Sequence, residues 1–480
     1  MTSNSRLTTP QIPVILSYLI VAVLFTLTIN NGFFWDTIQL GSKHANYYYT
    51  TNFANILLPD SIDSGHIPAF GAYLAVLWKI FGRELIVCRL AMLPFIFGIV
   101  WQLNRLVKRF FGNEYAGWAL LLILLDPTLL SQMTLISPDV LLVFFFLMGL
   151  NSLLQNRETA LSLSVAFLFL TSMRGMMVGF CLFIADIIIN ISFSSSFKDL
   201  TRSLFKRSLI YLPALIIFLA FSSWHYFKKG WIGFHEDSPW AELFARVDFK
   251  GVIYNIGILG WRIIDFGRIG IWIVFFVLAL KFKEEIIKAK ETRVLLLIFL
   301  IIVVFLPLNM IWAKNLLGHR YLLPVYISFS LLCANILFTQ QLNPKLRAAL
   351  VTLWIVSLAT GNLWVYPDRI SKGWDSTLAH LPYYKIRKQA IEYLDEQKID
   401  FAKVQSFFPN TALIDDIDLN NDKRNFTDFN DCCDYVIYSN AFNLNDENYD
   451  LVKSKYTVIK QFRSGFLYMD ICRKKEVPEN

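Results

Sequence analysis

Residues 11–36 read QIPVILSYLIVAVLFTLTI, then NNG, then FFWD: an uncharged apolar run from Gln11 to Ile29, a polar break at Asn30-Asn31-Gly32, and Phe33-Phe34-Trp35-Asp36 directly after it. The run is long enough, at about 1.5 Å per helical residue, to cross about 30 Å of hydrocarbon. No small-x-small cleavage site follows it before Trp35, so it reads as a membrane span and not as a removable leader. Asp36 then sits just outside the span, beneath an aromatic belt. A carboxylate there keeps its hydration and can act as a base or a ligand. A polar, Tyr-rich stretch runs on to Gly65, and His66-Ile67-Pro68 opens the next apolar segment.

The rest of the chain repeats the pattern. It is 55% hydrophobic and 16% aromatic, and only 17% of residues are charged. Its mean hydropathy is +0.47. A water-soluble chain of this length would carry more charge. Apolar runs predict a polytopic α-helical membrane protein of about eleven spans. They lie near 11–30, 86–106, 114–133, 139–155, 160–173, 175–193, 208–224, 267–282, 293–312, 321–338 and 347–365. The shorter run at 67–82 carries Trp78 and Lys79 and reads as a helix on the membrane surface.

Short basic loops set the orientation. Arg105, Lys108 and Arg109 follow the second span; Lys198, Arg202, Lys206 and Arg207 the sixth; Lys281, Lys283, Lys288, Lys290 and Arg293 the eighth. The positive-inside rule places these loops and the N-terminus in the cytoplasm, and an odd span count places the C-terminus outside. The net charge of +8 partly reflects these loops. No basic-aromatic surface motif accompanies it, which argues against a nucleic-acid partner.

Composition shifts at Tyr366-Pro367. Residues 1–365 read as the transmembrane part, with a first external loop carrying surface helices at 31–82 and a second external insertion at 225–262. Residues 366–480 read as a small external α/β domain. Helical periodicity covers 382–397, and β-rich runs cover 404–407, 435–439, 456–462 and 466–472. The Asn- and Asp-rich stretch 410–432 reads as a loop. Of six cysteines, Cys88, Cys181 and Cys333 fall in spans. Cys432, Cys433 and Cys472 fall in the tail, where Cys472 could bridge to one of the vicinal pair.

Several residues could carry chemistry at the outer surface. Asp36 is the first choice for a general base or cation ligand. Asp139, in Ser137-Pro138-Asp139, could cap the fourth span, or it could join Asp36 around one cation or one hydroxyl. Asp126 lies near the outer end of the third span. Arg174 and Arg320 sit at outer span ends against the positive-inside rule. They suit an anionic partner such as a lipid phosphate, or snorkel to headgroups. His66 opens the surface helix, and His225 and His235 lie among Trp224, Trp231 and Phe234. No His/Cys metal spacing occurs, so a divalent cation would have to rest on carboxylates.

In order along the chain, these residues resemble the C-type (GT-C) glycosyltransferases that use polyprenyl-phosphate sugars, of the protein mannosyltransferase and lipid A aminoarabinose transferase type. Trp35-Asp36 stands where that family has an acidic motif after its first span. His66-Ile67-Pro68 and Ile80-Phe81-Gly82 bracket its surface helix, and Arg89-Leu90 begins its second span. Pro138-Asp139-Val140-Leu141-Leu142 resembles its second acidic site, Met173-Arg174-Gly175 its Lys-Gly turn, and Arg320-Tyr321-Leu322-Leu323-Pro324 its Arg-Tyr-Leu-Leu-Pro. Two departures stand out: Thr37, where the family often has a second acid, and Arg174 in place of Lys. The resemblance implies a membrane glycosyltransferase of the bacterial inner membrane. Its donor would be a polyprenyl-phosphate sugar, its acceptor a glycan, lipid or protein hydroxyl, and its surroundings membrane lipids. Asp36 would be the base, Arg174 and Arg320 would hold the donor phosphate, and Asp139, His66 and His225 would serve the acceptor or a cation. An O-antigen ligase or polymerase acting through His225 is the main alternative; a lipid-linked substrate transporter is a more distant one, since no repeated halves are visible.

The orientation is directly testable. Reporter fusions at Lys198 and Lys288 should report cytoplasmic, and a fusion after Cys472 should report external. A cytoplasmic C-terminal fusion would overturn the span parity.

Overall fold

Inside hydrocarbon every backbone N–H must find a carbonyl within its own segment, so the apolar runs become helices. The computed structural model describes residues 11–191, 196–233, 235, 241, 245–314, 318–370 and 373–475. Phe234 and parts of the 225–262 insertion therefore lie outside the described residues. A helix occupies every expected span. Helix α1 is Ile12–Leu27. After a π-helical turn at Ile38–Lys43 come α2, His44–Thr50, and α3, Ala69–Phe81. Helix α3 is the expected surface helix. Phe70, Gly71, Leu74, Ala75 and Trp78 face inward at helical spacing, while Val76, Ile80 and Phe81 are exposed.

The second and third expected spans meet in one 40-residue helix, α4, Leu85–Leu124, broken at Gly112. Gly112 has φ 65° and ψ −164°, a conformation open to glycine and costly for other residues. The third span does not run to residue 133 as expected. It stops at Leu124, and Asp126 caps a separate short helix, α5, Pro127–Met133. Helix α6, Pro138–Leu154, then leaves at 116° to α5. Pro127 and Pro138 both sit in first turns, where a missing N–H costs nothing. The bundle continues with α7, Glu158–Thr171; α8, Met173–Asn190; α9, Phe197–Lys229; α10, Phe249–Ile264; and α11, Arg268–Lys288. It closes with α12, Lys290–Phe305; α13, Leu323–Thr339; and α14, Pro344–Gly361.

Among the described residues, four helices are long and apolar enough to cross a membrane, or up to six if each of two bent pairs is one span. Eleven full-length spans are thus more than length and composition support. Helices α1 and α7 are shorter apolar helices, and α10 and α11 bend by 86° at Asp265 to Gly267. The insertion at 225–262 is also less of a loop than expected, since α9 runs on to Lys229 and α10 starts at Phe249. Burial ranks the helices. The apolar window beginning at His319 and running through α13 is 94% buried, whereas that of α9 is 6% buried. Helix α13 is the axis of the bundle and α9 its rim.

A second hydrophobic cluster holds the C-terminal region and takes in Phe34 and Leu135 from the bundle side. Its five-stranded sheet has the order β2-β1-β3-β5-β4. The strands are β1 Val404–Ser406, β2 Thr427–Asp428, β3 Tyr435–Ser439, β4 Tyr456–Ser464 and β5 Leu467–Lys474. The first three pair in parallel and β5 runs antiparallel to β3 and β4. The amphipathic helix α15, Tyr383–Glu396, buries Tyr383, Ile386, Ala390 and Leu394 against the sheet. The stretch read as a loop at 410–432 holds α16, Ile414–Asp418, and β2. No disulfide forms: all six cysteines are free. Cys472 is buried in β5, opposite Val436 of β3 and Val458 of β4.

The sheet region docks onto the loop that follows α1. Phe33 N–H donates to the Ile417 carbonyl at 2.9 Å. Gly32 lies so close that a Cβ would come within 2.5 Å of that oxygen, so only glycine fits. Arg83, at the end of α3, grips Asp415 with two bonds of 2.9 Å, and Asn46 reaches Asp416 at 3.3 Å. Burial would raise the Asp415 carboxyl, but Arg83 and Lys423 outweigh it and hold it at about 2.

That value lies below the ordinary Asp range, so the Arg83–Asp415 clasp contributes in full above about pH 4 and is lost as pH falls through 2. At neutral pH, Asp415→Ala leaves Arg83 without its buried partner and should weaken docking by about 3–5 kcal/mol. Limited proteolysis should then cut the sheet domain faster than in the parent. Unchanged protection would mean the clasp does not hold the domain.

Candidate active site

The turn that presents Asp36 is unusual. Trp35 has φ 53°, in the left-handed region, which is uncommon for a bulky residue. Two features hold it there. Thr37 Oγ1 accepts from Phe34 N–H at 2.9 Å and donates to the Phe34 carbonyl at 2.7 Å. The rings of Phe34 and Trp35 pack on the sheet domain, with Phe34 against His380 at 5.3 Å and Tyr383 at 5.1 Å, and Trp35 edge-on to Phe408 at 6.0 Å. Thr37, the departure from the family pattern, therefore closes the turn.

Arg320 lies in a 3-10 turn, His319–Leu322, that leads into α13. Its side chain is 8% exposed. The guanidinium is surrounded by three carboxylates. Nη2 donates to Asp36 Oδ2 and Nη1 to Asp375 Oδ2. Nε lies 3.2 Å from Asp139 Oδ2, an ion-pair contact without hydrogen-bond geometry. Asp139 also accepts from Arg174 Nη1. Asp139 is not the cap of α6. That role falls to Ser137, whose hydroxyl accepts from Asp139 N–H at 3.1 Å and frees the carboxylate. Four of the five charged residues singled out at outer span ends thus join in one alternating chain: Asp36, Arg320, Asp139, Arg174. Tyr321 lies beneath it, with Arg174 3.9 Å and Arg320 5.0 Å from its ring centre.

This chain borders a cavity of about 430 Å³. Asp36, His66, Arg174, Arg246 and Tyr321 form its polar side. Met173, Met176 and Met177 from α8, with Phe218 and Phe221 from α9, form its apolar wall. Arg246 is exposed and braced by Asn309, whose carbonyl and side-chain oxygen accept at 3.0 and 2.9 Å. Burial, followed by the charge of Arg174, pushes His66 down to about 4, so it is neutral at pH 7. His66 also lies 3.2 Å from the Ser64 hydroxyl. Arg174 and Arg246 bring positive charge to the cavity and Asp36 negative charge.

His225 is placed differently. Its Nδ1 faces the Trp231 carbonyl at 2.9 Å and its Nε2 faces Asp63 Oδ2 at 3.1 Å. It is buried and does not line the cavity. Asp63 also pairs with Lys229 and accepts from Gly65 N–H, so this cluster ties the end of α9 to the first loop. Asp126 likewise serves packing, paired with Arg268 in the bundle. Among the described residues no group of three or more His, Cys, Asp or Glu side chains could hold a metal ion. The three carboxylates that do converge have a guanidinium at their centre.

Sequence reasoning missed Arg246, Asp375 and Arg268. Asp375 carried one signal, its place beside Trp374 in the first polar stretch after the last apolar run. Arg246 and Arg268 carried none, since a lone arginine near a helix end is ordinary.

No protein-family model matches this sequence, and no curated protein matches it significantly. Solved structures do match. ArnT from Cupriavidus metallidurans bound to undecaprenyl phosphate aligns over 96% of this chain and 98% of its own, with TM-score 0.50 and 11% identity. Its apo form aligns over 95% and 97%, with TM-score 0.50 and 13% identity. The fold is that of the GT-C enzymes. The Archaeoglobus fulgidus oligosaccharyltransferase, also of GT-C fold, aligns over 85% of this chain and 63% of its own, with TM-score 0.39 and 13% identity. The alignment with ArnT covers nearly the whole chain, so the likeness takes in the C-terminal sheet domain as well as the helices.

The charge chain sets a stability test. Arg320→Met removes the cation from among three carboxylates, two of them buried, and should destabilise the protein by about 3–5 kcal/mol or more. Thermal unfolding in detergent should show a larger loss for Arg320→Met than for Arg174→Met, whose side chain has one carboxylate partner and is 17% exposed. Equal losses would mean the three-way junction is not what stabilises this region.

Proposed function

We propose that this GT-C protein transfers a sugar from a polyprenyl-phosphate carrier to an acceptor hydroxyl on the outer face of a membrane. One observation carries the reading. The cavity combines two kinds of lining: Met173, Met176, Met177, Phe218 and Phe221 from α8 and the rim helix α9 are apolar, and Arg174, Arg246, His66 and Asp36 are polar. A lipid phosphate fits such a site, with its chain against the methionines and phenylalanines and its phosphate on the arginines. The sugar then lies toward Asp36. Undecaprenyl phosphate is bound in the ArnT structure that shares the fold, which supports the same carrier class here.

In this mechanism the acceptor oxygen attacks the anomeric carbon as the bond from that carbon to the phosphate oxygen breaks. Asp36 takes the hydroxyl proton. Arg174 and Arg246 meet the negative charge that grows on the departing phosphate, and His66 can donate one neutral hydrogen bond to it. Polyprenyl phosphate leaves, and a single displacement inverts the anomeric centre. Arg320 is occupied by carboxylates and acts by holding Asp36, not by binding phosphate. Asp139 fixes both arginines. Membrane lipids surround the rim, the bacterial inner membrane is the proposed site, and the acceptor is a glycan, lipid or protein. The ligase reading through His225 gains nothing from its position, since both ring nitrogens face acceptors away from the cavity.

Glycolipid and glycan profiling of a deletion strain beside its parent should reveal a missing glycoform. Complementation with Asp36→Asn, at matched membrane abundance, should lower that glycoform by roughly 10²-fold or more. Arg174→Ala should weaken binding of undecaprenyl phosphate by about 1.5–3 kcal/mol. Asp139→Asn should be as severe as Asp36→Asn, because it releases both arginines. Near-parental product from Asp36→Asn would sink the catalytic assignment.

A further inference from the structure

Asp375 belongs to the sheet domain's entry segment, yet its carboxylate lies in the charge chain beside the cavity. The segment is held there by its backbone. The Asp375 carbonyl accepts from Ser131 Oγ at 2.9 Å and Gln132 Nε2 at 2.8 Å. The Ser376 carbonyl accepts from Thr128 Oγ1 at 3.1 Å, and Trp374 Nε1 donates to the Asn440 carbonyl at 2.7 Å. None of these bonds uses the Asp375 side chain. That side chain is 7% exposed and is spent on Arg320 Nη1, with Ser376 Oγ donating to its other oxygen at 3.1 Å.

Arg320 therefore has one carboxylate for each of its three sides. Nη1 donates to Asp375 and Nε lies 3.2 Å from Asp139 without a hydrogen bond, so Nη2 serves Asp36 through Oδ2 alone and also donates to the Tyr321 hydroxyl at 3.2 Å. A guanidinium free of Asp375 would take a carboxylate by both terminal nitrogens, its preferred fork geometry. Asp36, 25% exposed at the cavity edge, is the one of the three least held by its surroundings.

We propose that Asp375 is a positioning residue for transfer: by occupying Nη1 of Arg320 it prevents a two-pronged grip on Asp36 and leaves one Asp36 oxygen to receive the acceptor proton. The sheet domain thus completes the catalytic centre and does more than cover it. This rests on the glycosyl-transfer reading with Asp36 as base.

The test compares Asp375→Asn, Asp375→Glu and Asp36→Asn in the deletion strain, scored by the missing glycoform at matched abundance. Purified variants are tested for binding of undecaprenyl phosphate and for protease protection of the sheet domain. Asp375→Asn should lower the glycoform about tenfold or more. It should keep undecaprenyl phosphate affinity within about twofold, since no phosphate contact is lost. The domain should stay protected, since its backbone bonds remain, and Asp375→Glu should recover part of the product. A parental glycoform level in Asp375→Asn, with Asp36→Asn inactive, overturns this inference alone. Parental levels in both overturn the glycosyl-transfer reading as well. Loss of product together with loss of protection overturns the inference too, because the side chain would then act through docking.

Discussion

One buried guanidinium organises this molecule. Arg320 at the head of the central helix meets carboxylates from three distant parts of the chain: Asp36 after the first helix, Asp139 at the start of α6, and Asp375 at the entry to the sheet domain. A buried charge is tolerable only when it is paired and hydrogen-bonded. Pairing that charge therefore draws the three segments to one junction. The bundle, the first loop and the sheet domain share a junction, and the cavity opens beside it.

The membrane explains why the fold was readable. Hydrocarbon forces helices onto apolar runs, so the positions of α1, α3, α6, α8 and α13 followed from composition alone. What the runs could not reveal is where a helix stops short. The apolar stretches on both sides of Asp126-Pro127 suggest one continuing span, yet Asp126 caps α5 and pairs with Arg268 from α11. That partner is far away in sequence, and no local pattern announces it. The same holds for the tail. Its strands were legible from β-rich runs, but β2 is two residues long and depends on its pairing with β1.

The charged centre was partly legible for a different reason. Asp36, Asp139, Arg174 and Arg320 stood out because each sits at a span end where charge needs a purpose. Their mutual contact was not visible, and it changes what each can do. Arg320, read as a phosphate ligand, is consumed by carboxylates. Asp139, read either as a cap or as an acceptor or cation ligand, is released from capping by Ser137 and contacts two arginines. His225, read as a site residue, is locked against Asp63. Position marks a residue as important, but its partners decide its role.

The closeness of Gly32 to the Ile417 carbonyl has a consequence for biogenesis. The first turn after α1 and the last third of the chain touch with no room for a methyl group between them. During synthesis at about 5–20 residues per second, Asp36 emerges roughly 20–70 s before Asp375. For most of that interval the early loop lacks Arg320, the cation Asp36 pairs with, and throughout it lacks the surface that Phe34 and Trp35 pack on. A chain truncated in transit keeps Asp36 but lacks Asp375 and the sheet domain, so the charge junction is complete only when the tail folds back.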